Sequence, residues 1–287
     1  PKKGFAEEIA YSLISVSAER HVQFFQSLST LGCFENHVLR LHAAFVEVGF
    51  AFYQVMDILE GPDLFDYLAG LRTRMQERSA ARLSKQILQA VHYFHRTIGA
   101  LHRDIKSENF GFISPPAPDQ PLPALKLFDI GLAWVLPEPV TEETAVQLLQ
   151  LKRCGTAMYM APEIWSGSCG PPSDVWSAGI VAHIVVSLEL PFDLMRSRNP
   201  RQAVMNNALV FGPAWDCISE EAKQFLSAML EKEPQMRATS AALLANPWLS
   251  ETASCHLQHQ GSGVADASPS RKYAMPARSR RAETGLW

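Results

Sequence analysis

The chain has 287 residues, of which 47% are hydrophobic and 19% are charged, so it can bury a large core and is not predicted to be disordered throughout. Its 26 Lys and Arg residues face 29 Asp and Glu residues, and the resulting net charge of −3 argues against nucleic acid as a partner. The five cysteines are scattered without CxxC spacing, which argues against a disulfide framework or a zinc site and favours reduced thiols in an intracellular, cytoplasmic protein.

The N-terminal part of the chain is predicted to be rich in β-structure. Residues 8–16 and 45–59 contain short runs of aromatic and β-branched side chains, which are typical of strands. Between them, residues 19–31 are predicted to form a helix, because apolar residues recur there with helical spacing. No signal peptide is predicted, because the first charged residues are not followed by an apolar run.

Helical patterns dominate from Gly61 onward. Apolar residues recur at helical spacing in residues 79–97, and residues 220–230 and 240–245 follow the same pattern. The most apolar stretch, residues 175–190, contains polar residues and is shorter than a membrane span requires. It is therefore predicted to be a helix buried in the core, and no membrane span is predicted.

Two segments rich in turn-forming or polar residues interrupt this pattern. Residues 114–123 contain several prolines and lie between two short apolar runs, residues 110–113 and 125–128, so they are predicted to join two short strands. Residues 250–287 lack periodicity and are rich in Ser and Arg, which predicts a disordered tail.

Four short segments with chemically active residues follow one another in a fixed order. They are LHRDIKSENF at 101–110, LKLFDIG at 125–131, CGTAMYMAPE at 154–163 and SDVWSAG at 173–179. Each segment alone is weak, because a short tripeptide such as HRD is common by chance. Four segments in one order with compatible spacing are a strong signal.

In this order the segments resemble the protein kinase family, and the chain is most similar to the calcium- and calmodulin-regulated group of Ser/Thr kinases. Residues 53–68 and 222–249 carry further resemblance to that group. The resemblance implies an α+β, two-lobed kinase fold. We expect a partial, β-rich N-lobe at residues 1–60 and a larger helical C-lobe at residues 61–249.

The resemblance also implies the catalytic residues. Asp104 matches the carboxylate that accepts or orients the proton of the substrate hydroxyl, and Lys106 matches the cation that offsets charge at the γ-phosphate. Asn109 and Asp129 match the ligands of magnesium, which prefers hard oxygen donors, and Asp129 is thereby part of the nucleotide site. Thr156 matches the residue that supports the catalytic aspartate.

The nucleotide and substrate sites follow from the same resemblance. The hinge that bonds adenine through its backbone falls at Met56, Asp57 and Leu59, and Asp63 matches the residue that meets ribose. We therefore expect ATP and Mg²⁺ as cofactors and proteins as substrates. Glu108 and Asp63 would form an acidic rim that favours basic substrates, whereas no regulatory partner is indicated.

Several other positions match structural residues of the family. Glu163 and Arg237 match a buried ion pair, and Asp174 matches the aspartate that holds the backbone of the catalytic loop. Ile130 stands where phenylalanine is usual and is expected to pack in the same apolar column, with Phe25, Leu41 and His102. Ser107 replaces a common proline, and both changes are expected to be mild.

The N-terminal part departs from the family pattern. The chain has no Gly-rich loop, Ser12 stands where a strand lysine is usual, and His21 stands where the helix glutamate is usual. Three explanations are open: an incomplete kinase sequence, a pseudokinase that acts as a binding scaffold, or another cation such as Lys2 or Lys3 at the phosphates. The retained catalytic set favours a Ser/Thr protein kinase over the pseudokinase.

Overall fold

The computed structural model describes residues 10–12, 37–47, 51–118, 120–136, 138–194 and 197–250. The helices in these ranges are α1 (Leu64–Gly70), α2 (Glu77–Tyr93), α3 (Pro171–Ser187), α4 (Pro200–Asn206), α5 (Glu220–Met229) and α6 (Ser240–Leu244). The strands are β1 (Ala10–Ser12), β2 (Leu41–Glu47), β3 (Ala51–Met56), β4 (Ala100–Leu101), β5 (Phe110–Phe112), β6 (Leu125–Leu127), β7 (Trp134–Val135), β8 (Leu149–Gln150) and β9 (Ser168–Cys169).

The N-terminal strands form an antiparallel sheet in the order β1-β3-β2. Ser12 pairs with Phe52 of β3, and Leu41 of β2 pairs with Met56 at the other end of β3. Residues 45–59, predicted to be rich in β-structure, thus cover the end of β2 and all of β3. The helix predicted at residues 19–31 lies outside the described residues.

The two longest described helices form the centre of the C-terminal part. Both α2 and α3 have 17 residues. Only one face of α2 is buried, whereas every residue of α3 is buried. A helix surrounded by protein needs no polar face, which explains the apolar run at residues 175–190 and confirms the predicted core helix. No helix in the described ranges is long and apolar enough to cross a membrane.

Helix boundaries lie close to those expected from the sequence. Helices α5 and α6 begin at the predicted residues, after the N-caps Ser219 and Thr239, whose side chains accept from backbone N–H groups in the first turn. Helix α2 passes into one wider turn, Phe94–Ile98, which ends at Gly99 with a φ of 71°. Glycine tolerates this left-handed conformation, so the helical segment stops there.

A β-hairpin connects the two main chemical segments. Strands β5 and β6 pair antiparallel, with Phe110 opposite Leu127, and the proline-containing segment lies between them as predicted. The start of β5 and the end of β6 therefore lie side by side. The small sheet followed by a helical body agrees with the expected α+β organisation, and the boundaries at residues 60 and 249 stay predictions.

Candidate active site

Asp104 lies in the catalytic loop, residues 101–110, and is held by two side chains of this loop and by one side chain from outside it. Asp104 Oδ2 lies 2.8 Å from Lys106 Nζ, and Asp104 Oδ1 accepts a 2.8 Å hydrogen bond from the hydroxyl of Thr156. Lys106 also donates to Thr156 Oγ1 at 3.3 Å, and Asn109 Nδ2 donates to the Asp104 carbonyl at 2.8 Å. The Asp104 carboxylate is thus fixed in orientation, while 11% of its side chain stays exposed.

Asn109 and Asp129 lie at the same end of the β5–β6 hairpin. Asn109 precedes β5, Asp129 follows β6, and the N–H of Phe128 donates to the Asn109 carbonyl at 2.9 Å. Within the described residues, Asn109 Oδ1 accepts no hydrogen bond and the Asp129 carboxylate has no hydrogen-bond or ion-pair partner. An amide oxygen and a carboxylate without protein partners are suitable ligands for Mg²⁺.

Asp129 also has an unusual backbone conformation. Its φ of 59° lies in the left-handed region that residues other than glycine rarely adopt. Such conformations cost about 1–3 kcal/mol and persist where the surrounding structure enforces them, often at functional sites. The hairpin that precedes Asp129 provides this constraint.

Asp174, from the first turn of α3, anchors the catalytic loop. It is buried and accepts hydrogen bonds from the N–H of His102 at 2.8 Å, from the N–H of Arg103 at 2.9 Å and from His95 Nε2 at 2.9 Å. Burial by itself would raise the pKa of Asp174. The hydrogen bond and charge of His95 act with other contacts in the opposite direction and outweigh burial, so the pKa of Asp174 lies below its ordinary value. Burial lowers the pKa of His102, although nearby carboxylates oppose this shift.

Gly155 allows the next segment to approach the catalytic loop. A Cβ at this position would lie 2.5 Å from the carbonyl oxygen of Arg103, and Gly155 has a φ of 97°. Both observations require glycine, because real Cβ atoms do not approach backbone oxygens this closely. Without Gly155, Thr156 could not sit against Asp104.

The ion pair expected between Glu163 and Arg237 is present and bidentate. Arg237 Nη1 lies 2.7 Å from Glu163 Oε1, and Arg237 Nη2 lies 3.0 Å from Glu163 Oε2. Arg237 also donates to the carbonyl of Pro172 at 2.7 Å, and Ser173 donates to Glu163 at 2.8 Å. This pair ties the segment after Gly155 to the start of α3 and to the C-terminal helices.

The hinge residues follow β3 directly. Met56 ends β3, and the N–H of Asp57 donates to the carbonyl of Arg40 at 3.1 Å. Among the described residues, the carbonyl of Asp57 and the N–H of Leu59 have no hydrogen-bond partner. This backbone acceptor and this backbone donor, two residues apart, can therefore form hydrogen bonds with the edge of a planar ring.

Close packing and backbone pairing connect the hinge to the catalytic loop. A Cβ at Gly111 would lie 2.5 Å from Leu59 Cδ1 and 3.3 Å from Phe128 Cε1, so Leu59 packs directly on Gly111. Asp63 forms a backbone bridge with Gly111, and its Oδ1 caps α1 by accepting from the N–H of Asp66 at 2.7 Å. The structure thus brings the predicted nucleotide residues next to the predicted catalytic residues.

The sequence profile of the protein kinase domain matches residues 12–249. The chain belongs to the protein kinase family. It is 35% identical over 231 residues to calcium-dependent protein kinase 22 of Oryza sativa subsp. japonica, which covers 80% of this chain and 37% of the relative. It is 33% identical over 216 residues to calcium-dependent protein kinase 25 of Arabidopsis thaliana, which covers 75% of this chain and 39% of the relative. The expected similarity to this group of Ser/Thr kinases is confirmed, and the chain spans less than two-fifths of these curated relatives.

Some of the positions at which the chain departs from the kinase pattern lie within the described residues. Ser12 ends β1, directly beside β3, so the strand predicted to lack the usual lysine belongs to the sheet that leads to the hinge. His21 lies outside the described residues, as does Phe25 of the expected apolar column. The other column members, Leu41, His102 and Ile130, are buried.

Two contacts of this kinase were not predicted from its sequence. No sequence motif points to His95, yet its side chain donates to the buried Asp174. Ser107 was interpreted as a mild replacement of proline, yet its hydroxyl lies 2.9 Å from that of Tyr159 and 3.1 Å from Glu108 Oε2. The only sequence signal for the second contact is a hydroxyl residue where proline is common.

Proposed function

We propose that this chain transfers the γ-phosphate of ATP to serine and threonine hydroxyl groups of proteins. The observation that supports this best is the Asp104 carboxylate, held by Lys106, Asn109 and Thr156 and still accessible. Phosphoryl transfer depends mainly on positioning and on stabilising charge, and this arrangement provides both.

Each residue has a separate task in the proposed reaction. The Asp104 carboxylate accepts or orients the proton of the attacking hydroxyl. The Lys106 ammonium, 2.8 Å from Asp104, lies where it can offset negative charge on the transferred phosphoryl group. As the hydroxyl oxygen bonds to phosphorus, the bond from phosphorus to the bridging oxygen breaks and ADP leaves.

Mg²⁺ and ATP are the proposed cofactor and co-substrate. Asn109 and Asp129 would hold the metal through oxygens that have no partner among the described residues, and the metal would neutralise phosphate charge. The backbone of Asp57 and Leu59 would bond adenine, Met56 would lie beside the base, and Asp63 would meet the ribose.

The proposed substrates are proteins with basic residues near the reacting hydroxyl. Glu108 lies in the catalytic loop, one residue before Asn109, and Asp63 caps the nearby α1. Carboxylates beside the reacting centre attract Arg and Lys side chains.

The direct test is transfer of labelled γ-phosphate from Mg-ATP to matched peptides that contain serine, threonine or tyrosine. We expect transfer to serine and threonine only. Asp104→Asn keeps the size of the side chain and should lower the rate by about 10²- to 10⁴-fold. Asp216→Asn, which changes an exposed aspartate, is the control and should leave the rate unchanged.

A second candidate is a binding module without transfer activity. The observation that favours it is Ser12 on the strand beside β3, where the kinase pattern has lysine. If Ser12→Lys creates transfer activity that the natural chain lacks, the chain is a pseudokinase. If the natural chain already transfers phosphate and Asp104→Asn abolishes this, the binding-module alternative is wrong.

A further inference from the structure

Two buried hydroxyl groups meet where the catalytic loop contacts the segment after Gly155. Ser107 Oγ lies 2.9 Å from the phenol oxygen of Tyr159, and the two side chains are 0% and 2% exposed. Both hydroxyls also contact one carboxylate oxygen, since Glu108 Oε2 lies 3.1 Å from Ser107 Oγ and 3.3 Å from the Tyr159 oxygen. These three groups form the hydroxyl–carboxylate cluster.

The protons of the cluster can be assigned from its chemistry. A carboxylate only accepts hydrogen bonds, so the hydroxyls are the donors. Burial raises the pKa of Tyr159, and the charge of Glu108 raises it further, so the phenol keeps its proton. Tyr159 therefore donates to Ser107, Ser107 donates to Glu108, and Tyr159 reaches Glu108 directly over a longer distance.

The cluster is attached to the rigid part of the C-lobe. The carbonyl of Tyr159 accepts a 2.8 Å hydrogen bond from Ser177 Oγ of the buried helix α3. On the other side, the N–H of Asn109 donates to the carbonyl of Lys106 at 3.0 Å, which closes the turn that carries Ser107 and Glu108. The Glu108 carboxylate is therefore fixed relative to Asp104, while Glu108 remains only half-buried.

We propose that the Ser107–Tyr159 hydroxyl pair positions the Glu108 carboxylate to bind an Arg or Lys side chain of the protein substrate. This inference rests on the proposed function and adds two positioning residues to it. Proline or alanine at position 107 has no hydroxyl and would remove the shorter of the two cluster hydrogen bonds to Glu108.

Holding the carboxylate before the substrate arrives has a calculable benefit. A glutamate that is already ordered loses less side-chain entropy when it binds a cation, which is worth between about twofold and tenfold in affinity. The benefit applies only to substrates with a cation that reaches Glu108. A positioning role therefore predicts a change in selectivity, whereas a packing role predicts an equal loss for all substrates.

The test uses two serine peptides that differ only in one arginine replaced by alanine, with binding to the whole chain measured by fluorescence anisotropy. We expect the natural chain to prefer the arginine peptide. Ser107→Ala and Tyr159→Phe should each reduce this preference by about threefold to tenfold, since each removes one donor in the cluster. Ser107→Thr keeps the hydroxyl and should restore the preference to within about twofold of the natural chain.

Two further variants complete the design. Glu108→Gln should abolish the preference. Ser84→Ala is the matched control, because it removes a buried hydroxyl of α2 that has no hydrogen-bond partner among the described residues, and the preference should be unchanged.

The inference is overturned if Ser107→Ala weakens both peptides equally, if Glu108→Gln retains the preference, or if the natural chain binds neither peptide. Phosphate transfer to the alanine peptide is measured alongside. Transfer without any preference would contradict the inference and leave the proposed kinase activity intact. A preference that follows the variants in a chain that transfers no phosphate would support the inference and contradict the activity.

Discussion

The catalytic loop and the hinge hold their functional groups in different ways. On the side of the catalytic loop, the backbone just before Asp104 donates to the buried Asp174, and the segment that carries Thr156 also carries the buried Glu163 of the ion pair. On the hinge side, the Asp57 side chain pairs with His42 in the open, with the two side chains 50% and 42% exposed. Buried charges are costly to leave unpaired, whereas exposed pairs contribute little. Substitutions should therefore have large effects on the first side and small effects on the second.

The largest effect is expected at the buried ion pair. Arg237→Met leaves Glu163 buried without its partner, and we expect the free energy of unfolding to fall by about 3–5 kcal/mol. Urea denaturation followed by circular dichroism measures this change. Replacing both partners with Glu163→Leu and Arg237→Met should recover part of the loss.

The control is Glu220→Gln, which breaks an exposed pair with Lys223 at 3.5 Å and should change stability by no more than about 0.5 kcal/mol. Similar losses of stability for the two variants would contradict the proposed difference between buried and exposed ion pairs.

Gly155→Ala is expected to have the next largest effect. The added Cβ would meet the backbone oxygen of Arg103 at 2.5 Å, and the residue would keep a positive φ. We expect a loss of about 1–3 kcal/mol in stability and a lower kcat, because Thr156 moves away from Asp104. Gly70→Ala has no atom within 4 Å of its new Cβ and is the control. Equal melting temperatures for both variants would exclude the proposed close approach.

His183 predicts how stability depends on pH. Burial lowers its pKa to about 4, from an ordinary value of 6.5. Between these values the unfolded chain binds a proton that the folded chain does not, so stability falls as the pH decreases through this window. The slope from this residue is up to about 1.4 kcal/mol per pH unit. His183→Gln should flatten the curve, and an unchanged slope in this variant would refute the assignment.

The smallest change in stability is expected for Gly111→Ala. Its new Cβ would meet Leu59 Cδ1, which is the end of a flexible side chain and can move at low cost. We expect a loss below about 1 kcal/mol, but a measurable decrease in ATP affinity as the hinge leucine shifts. Equilibrium binding of a fluorescent ATP analogue measures this decrease. A stability loss equal to that of Gly155→Ala would show that the hinge is as rigid as the catalytic loop.

The sequence predicts a set of catalytic residues because their chemistry restricts both residue type and spacing, and their roles stay predictions. It also predicts α3, since an all-apolar helix has few locations other than a core. The sequence does not predict contacts between residues that are far apart in the chain. Ser107 and Tyr159 are 52 residues apart, and His95 and Asp174 are 79 residues apart. Periodicity reports which face of an element is buried, but it does not report which buried hydroxyl or imidazole meets which partner.

The boundary between β2 and β3 was missed for a related reason. In both strands the side chains alternate between the two faces of the sheet. The sequence therefore predicts β-structure for residues 45–59 without showing where β2 ends and β3 begins. The helix predicted at residues 19–31 lies outside the described residues, as does the tail predicted at residues 250–287 apart from Ser250, and both stay predictions.

The central claim is that Asn109 and Asp129 form a magnesium-dependent ATP site that functions although Ser12 replaces the usual lysine. Isothermal titration calorimetry of the purified chain with ATP tests it, in Mg²⁺ and in EDTA, with Asp129→Ala alongside. The account predicts binding in Mg²⁺ that is lost both in EDTA and in Asp129→Ala. Absence of binding at millimolar ATP, or binding that ignores Mg²⁺ and Asp129, would contradict it.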